Sequence, residues 1–207
     1  MKLTRKIFAV LIMLFAAQAF AQEGAGPGYT LLSPPQPTHS GKKIEVLEFF
    51  FYGCIHCFHL HPKLSEWEKK MPKDVQLEFV PTIFNPNWEP MANTYYALKM
   101  MGQQQKLHDD LYNAWNRDNN ILTEADKIAD FVSQHGADRQ KFLDYYKSFS
   151  VQSEVTRSKQ MTLQYKISGT PTLIVDGKYA ISGLQPEETI RVLNELIGKV
   201  RKEHGKN

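Results

Sequence analysis

Cysteine is almost missing from this 207-residue chain, which carries only Cys54 and Cys57. A pair so close in sequence is a poor structural staple. Closing a loop of that length removes only about 2 kcal/mol of unfolded-chain freedom, and secreted domains that depend on disulfides close longer loops. Also absent is an apolar run of the ~20 residues that a membrane-spanning helix requires; the stretch from Ile7 to Ala17 is much shorter. No internal repeat or low-complexity tract interrupts the chain. Finally, basic charge is not in excess once the first 21 residues are set aside, because they hold Lys2, Arg5 and Lys6 and no acid, which leaves 22 Lys and Arg against 22 Asp and Glu. That balance gives no basic face of the kind a nucleic-acid binder displays.

What is present begins with a three-part leader. Lys2, Arg5 and Lys6 precede the apolar run, and Ala19-Phe20-Ala21 supplies a small-x-small site. This is the layout of a secretory signal cleaved after Ala21, so residues 1–21 are expected to be removed on export. The remainder suits one compact domain, or one domain with an insertion.

The segment from Gln22 to Lys43 is rich in Gly and Pro and reads as a lead-in, with one short strand candidate at Tyr29 to Leu32. Ile44 to Phe51 is apolar and aromatic apart from Glu45 and Glu48, as a strand buried on both faces would be. A helix is predicted from Cys54 to about Lys70 with Leu60, Leu64 and Trp67 on one side, then a second central strand at Val75 to Val80. A long helical block follows. Its stripes are Met91, Tyr95 and Leu98, then Leu107, Leu111, Ala114 and Trp115. Thr123 and Asp126 suggest a capping box, Gly136 a C-terminal cap and Asp138 a further N-cap, before a helix over 150–165. Strands return at Thr172 to Val175 and Lys178 to Ile181 around Asp176-Gly177, a strong hairpin signal. Pro186 opens a last helix, with acids at its start and Lys199, Arg201 and Lys202 near its end.

The chemistry concentrates in Cys54-Ile55-His56-Cys57, at the junction of a buried strand and a helix. There the first sulfur lies over unpaired amide groups whose partial positive charge favours thiolate over thiol. Cys57, one turn further in, is placed to attack Cys54 and release a trapped partner. A zinc site is the bland alternative, since Cys57 and His61 have helical i, i+4 spacing, but typical structural sites pair two ligand clusters and no second one follows. Haem attachment needs His directly after the second Cys, where this chain has Phe58.

The run Val46-Leu47-Glu48-Phe49-Phe50, the Cys54-Ile55-His56-Cys57 motif, the helical block and Gly169-Thr170-Pro171-Thr172 together closely resemble the DsbA family of bacterial periplasmic disulfide oxidases. The resemblance spans nearly all of the mature chain. It implies an α/β, thioredoxin-like fold with an inserted α-helical domain: the first domain formed by 22–84 and 155–207, the insert by 85–154. It further implies that Cys54 is the exposed nucleophile, His56 a residue that stabilises its thiolate, and Cys57 the resolving cysteine. Pro171 would be a cis-proline facing the disulfide, Thr170 the residue whose backbone pairs with substrate, and Glu48 a buried acid exchanging a proton with Cys57. No cofactor beyond the Cys54–Cys57 couple is implied. The implied partners are reduced exported proteins and a quinone-linked membrane reoxidant of DsbB type. The lead-in is too short for a dimerisation domain, so a monomer is expected. Two positions depart from the familiar pattern: Ile55 stands where the best-known members have Pro, and Thr170 where many have Val.

Other functions use the same residues. A periplasmic reductase or isomerase would carry the same motif. A peptide-binding chaperone could use Phe51, Tyr52 and Phe58 as an apolar groove, although aromatics in such places are more often core. Glu48 itself could be a strand acid paired with a lysine.

Overall fold

The computed structural model describes residues 26–205, so the leader and its cleavage site lie outside the described residues. A five-stranded sheet in the order β1-β5-β4-β2-β3 forms the centre. Its strands are β1 (Thr30–Leu31), β2 (Ile44–Phe50), β3 (Val75–Pro81), β4 (Thr172–Val175) and β5 (Tyr179–Ser182). β2 runs parallel to β3 and antiparallel to β4, with Glu48 opposite Phe79 on one side and Leu173 on the other. Helix α1 (Ile55–Lys69) connects β2 to β3. Between β3 and β4 the chain makes a short 3₁₀ turn, Pro86–Trp88, and then five helices. These are α2 (Glu89–Met100), α3 (Gln104–Asn116), α4 (Ala125–Gln134), α5 (Arg139–Tyr146) and α6 (Phe149–Gln164), and α7 (Pro186–His204) ends the fold.

Every residue of β2 is buried, as its apolar run requires. On one face Ile44 and Val46 pack with Leu60, Leu64 and Trp67 of α1 and with Leu193, Leu196 and Val200 of α7. The Trp67 indole N–H donates to Asn194 Oδ1 at 2.9 Å and ties the two helices together. On the opposite face Leu47 and Phe49 pack with Met161 and Tyr165. Helix α6 therefore serves two cores: Val151 and Val155 join the helical insert, while Met161 lies under the sheet.

Local signals mostly decide the boundaries. Asp138 accepts a hydrogen bond from the Lys141 N–H at 2.8 Å and caps α5 as expected. The Thr123–Asp126 capping box does not form. Helix α4 starts one residue later, with Glu124 as N-cap, which leaves Asp126 at the second helical position. There its carboxylate accepts from Arg139 instead, at 3.0 Å. Ser148 caps α6 and starts it at Phe149, slightly before the predicted residue.

The β4–β5 turn shows why glycine is required at one point. Asp176 and Gly177 both have positive φ, 53° and 63°, the pairing of a type I′ hairpin. Gly177 also meets the lead-in: the Gln36 N–H donates to its carbonyl at 2.8 Å, and an added Cβ would lie 2.0 Å from Gln36 O. Gly183 shares the left-handed conformation at φ 71° but has nothing within 4 Å. Gly183→Ala should therefore cost only the backbone term of about 1–2 kcal/mol, and Gly177→Ala clearly more. Urea unfolding of the two variants checks the difference, and equal losses would show that the Gln36 contact yields freely.

Candidate active site

Cys54 is the N-cap of α1, with extended backbone (φ −88°, ψ 114°) and no side-chain cap. Its N–H donates to Phe51 O at 3.0 Å, and its own carbonyl accepts from the Phe58 N–H at 3.0 Å, so the residue is fixed at the end of β2 and the start of the helix together. The sulfur thus sits among helix-start N–H groups that have no intrahelical acceptor. The backbone N–H groups of His56 and Cys57 and the Cys57 thiol all favour its anionic form. With a further hydrogen bond from Thr170, they lower the Cys54 pKa from 9.0 to about 5 against the opposing effect of burial, the Cys57 hydrogen bond being the largest single cause.

Thr170 meets this sulfur in two ways. Its carbonyl oxygen accepts from the Cys54 thiol at 3.2 Å, which suits the protonated form, whereas its side chain favours the thiolate. The Thr170–Pro171 peptide bond is cis, as is Ser33–Pro34.

Cys57 has no exposed surface. Burial and the neighbouring Cys54 and Glu48 push its pKa well above 9.0. The two sulfurs, one helical turn apart, therefore have opposite acid–base character, and both are free thiols here. Glu48 lies beneath them, 1% exposed, with no hydrogen-bond partner for either carboxylate oxygen. Burial first, then the negative charge of Cys54 and Glu68, raise its pKa to about 8. Among the described residues no lysine pairs with it, so the strand ion-pair reading has no support in the geometry.

His56 and Ile55 are exposed beside Cys54. What His56 brings to the sulfur is its backbone N–H. Phe51 and Tyr52 are core residues, so the apolar groove suggested for them is closed. Phe58 is half-buried under the Arg117 guanidinium, 5.3 Å from the ring centre. His61, the other half of the zinc spacing, is held at 2.5 Å by Asp109. Among the described residues no three His, Cys, Asp or Glu side chains gather as metal ligands would.

The helical insert contributes residues that the motif alone did not reveal. Trp88 stacks on Phe51 at 3.9 Å and Trp115 meets the same ring edge-on at 5.2 Å. A Cβ on Gly53 would fall 2.5 Å from Phe51 and 2.6 Å from Trp115, which explains glycine before Cys54. Asn116 donates to the carbonyls of Tyr52 and Tyr112, both at 2.8 Å, and so fastens α3 to the active-site turn. His108 and Tyr112 lie next to the Leu107–Leu111 stripe on that helix; their i, i+4 spacing beside an apolar face was the signal available in the sequence.

Residues 55–193 match the model of the DSBA-like thioredoxin domain. The chain belongs to that family. It is 34% identical over 192 residues to the thiol:disulfide interchange protein DsbA of Pseudomonas aeruginosa, covering 91% of each chain. The protein of the same name from Azotobacter vinelandii is 35% identical over 179 residues, 85% of this chain and 84% of that one. Among solved structures, Pseudomonas aeruginosa DsbA superposes with a TM-score of 0.83 at 33% identity, covering 87% of this chain and 95% of the other. The oxidoreductase DsbA from Xylella fastidiosa gives 0.80 at 28%, covering 84% and 96%. The fold is accordingly thioredoxin-like with a helical insertion, and the protein is a thiol-disulfide oxidoreductase with Cys54 and Cys57 in the Cys-x-x-Cys position of the DsbA family.

Because the Thr170 side chain favours the thiolate, Thr170→Val should raise the Cys54 pKa above about 5. Ultraviolet titration of the thiolate in the reduced protein measures this. An unchanged or lower midpoint would assign the depression to the Cys57 thiol and the helix start without Thr170.

Proposed function

We propose that the protein oxidises reduced proteins exported to the periplasm, after cleavage behind Ala21, and that the observation carrying this reading is the stabilised Cys54 sulfur at the start of α1 above a fully buried Cys57. A substrate thiolate attacks Cys54 Sγ, the Cys54–Cys57 bond breaks, and its electron pair goes to Cys57 Sγ. A second substrate thiolate then displaces Cys54, a good leaving group because its thiolate is stable. Glu48, held neutral below about pH 8, supplies the proton that the buried Cys57 sulfur takes up. Thr170 presents its backbone to the substrate chain beside Pro171, and His56 stabilises the thiolate through its backbone N–H. The couple is internal and requires no cofactor. A quinone-linked membrane protein of DsbB type would return the dithiol to the disulfide, and the oxidase is a monomer. The sheet domain is assigned to 22–84 and 155–207 and the insert to 85–154, the rear boundary falling inside α6 where packing passes from the helical core to the sheet.

Trapping tests the division of labour. Cys57→Ala should accumulate mixed disulfides with exported proteins and Cys54→Ala should not. Equal trapping by both would reject the assignment, and a pair found mostly as dithiol in fresh periplasm would favour a reductase or isomerase.

Stability offers a second test with a definite sign. Closing the short loop favours the oxidised form by about 2 kcal/mol. Against this, a thiol with its pKa lowered to about 5 contributes at most about 3 kcal/mol at pH 7, less after allowance for its partial exposure to solvent. The two effects nearly cancel at neutrality. A depressed acid contributes fully above its unfolded pKa and loses that contribution as pH falls through the folded one. The melting temperature of the reduced form should therefore rise relative to the oxidised form between pH 5 and 8, with the oxidised form the more stable below pH 5. A difference independent of pH would contradict the thiolate argument.

A further inference from the structure

The side of α1 that carries the nucleophile continues below it. Cys54 and Phe58 are four residues apart and so lie one turn from each other on the same side of the helix, and both pack against the core of the insert. Ser65 and Lys69 extend this side further down. Opposite it runs α3 with Asp109 and Arg117, and between the two helices lies a cleft of about 360 Å³.

Charge in this cleft is one-sided. The acid that lines it, Asp109, is already held by His61 at 2.5 Å. The cations that line it, Lys69 and Arg117, enter no ion pair among the described residues. Elsewhere on α1 the lysines are neutralised: Lys63 reaches Glu187 of α7 at 3.1 Å, and Lys70 reaches Glu66 at 2.9 Å.

Position separates the two unpaired cations. Lys69 is fifteen residues beyond Cys54, about 22 Å along the helix at 1.5 Å per residue. Arg117 lies over the Phe58 ring, 5.3 Å from its centre, and Phe58 is only about 6 Å along the helix from Cys54. The ring contact steadies the guanidinium and leaves its N–H donors available. A planar fork of such donors matches a carboxylate. Arg117 is therefore placed to receive a carboxylate from a chain bonded to Cys54. An extended chain advances about 3.3 Å per residue, which puts that carboxylate two or three residues from the cysteine being oxidised.

We propose that Arg117 is a substrate-recognition residue: it holds an aspartate or glutamate of the reduced protein, two or three residues from the cysteine that attacks Cys54. The inference deepens the proposed function and rests on the reading of Cys54 as the sulfur that substrates attack. Its use follows from electrostatics. An acidic neighbour disfavours ionisation of the substrate's own thiol, and a cation beside Cys54 offsets that handicap by drawing the acidic segment in.

The test is single-turnover reduction of the oxidised mature protein by short cysteine peptides that carry Glu, Gln or Lys two or three residues from the cysteine. Each rate is divided by the same peptide's rate with a small-molecule disulfide, which removes the effect of charge on its own thiol. The Glu peptide should then exceed the Gln peptide by about three- to fivefold at low salt, the upper range for an ion pair exposed to solvent. In about 0.5 M sodium chloride the ratio should shrink. Arg117→Gln should abolish the ratio, Arg117→Glu should reverse it in favour of the Lys peptide, and Lys69→Gln should keep it. Reversal by charge is a result that loosened packing around Phe58 does not produce. Equal ratios in wild type and Arg117→Gln would overturn the assignment, as would a ratio lost in Lys69→Gln. Mass spectrometry of the quenched reaction locates the bound peptide. Peptide on Cys54 without any charge preference would remove the Arg117 subsite alone, whereas peptide on Cys57 would remove the reading of Cys54 and the subsite with it.

Discussion

A helix that begins immediately after a buried strand has N–H groups to satisfy and no helical carbonyl to satisfy them. At the β2–α1 junction no side chain caps the helix by a hydrogen bond, and the free N–H groups instead favour the anion of the Cys54 sulfur beside them. The rest of the site depends on this exchange. The N–H groups of His56 and Cys57 stabilise the thiolate, and the Phe51 carbonyl and Phe58 N–H hold the Cys54 backbone in position. The carbonyl of Thr170, from a distant part of the chain, approaches the same sulfur at 3.2 Å.

Depth produces the asymmetry between the two cysteines. One turn of helix carries Cys57 from the partly open N-cap to complete burial, and the same burial that raises its pKa raises that of Glu48. Each negative charge in this trio makes the next less favourable, because Cys54 raises both Glu48 and Cys57. The arrangement thus holds one stable charge, at the surface sulfur, and keeps the two deeper groups protonated at neutral pH. In thiol–disulfide exchange that division makes Cys54 the better leaving group and makes protonation of Cys57 the favourable end of its step.

The strands were legible because burial on both faces writes an unbroken apolar run, as in Ile44–Phe50, and because Asp176-Gly177 demands positive φ at both residues. The cysteine pair was legible for a similar reason: it sits at a strand–helix boundary that the sequence marks locally. The insert's contribution was not. Trp88, Trp115 and Asn116 reach the active-site turn through tertiary packing, and a helical stripe shows that a face is buried without showing against what. Thr123 and Asp126 satisfied a local pattern, but Arg139 of the next helix competes for the same carboxylate. The lack of a partner for Glu48 among the described residues is likewise a property of its surroundings, and no local signal records it.

These points give the insert a physical role beyond bulk. In the strand order, β2 has β3 as its outer neighbour and β3 is an edge, so the end of β2 that bears Glu48 and Phe50 lies close to the margin of the sheet. Helix α3 covers that margin: Tyr112 and His108 pack on Phe50, and His108 packs on Phe79, the register partner of Glu48. Without that layer, water would reach the carboxyl and remove the burial that is the first cause of its raised pKa. Asn116 fixes the layer to the turn that carries the cysteines. The redox chemistry at the surface and the protonation of the groups beneath it are therefore set by different parts of the chain, α1 for the first and the insert for the second, joined at Phe51, Gly53 and Trp115.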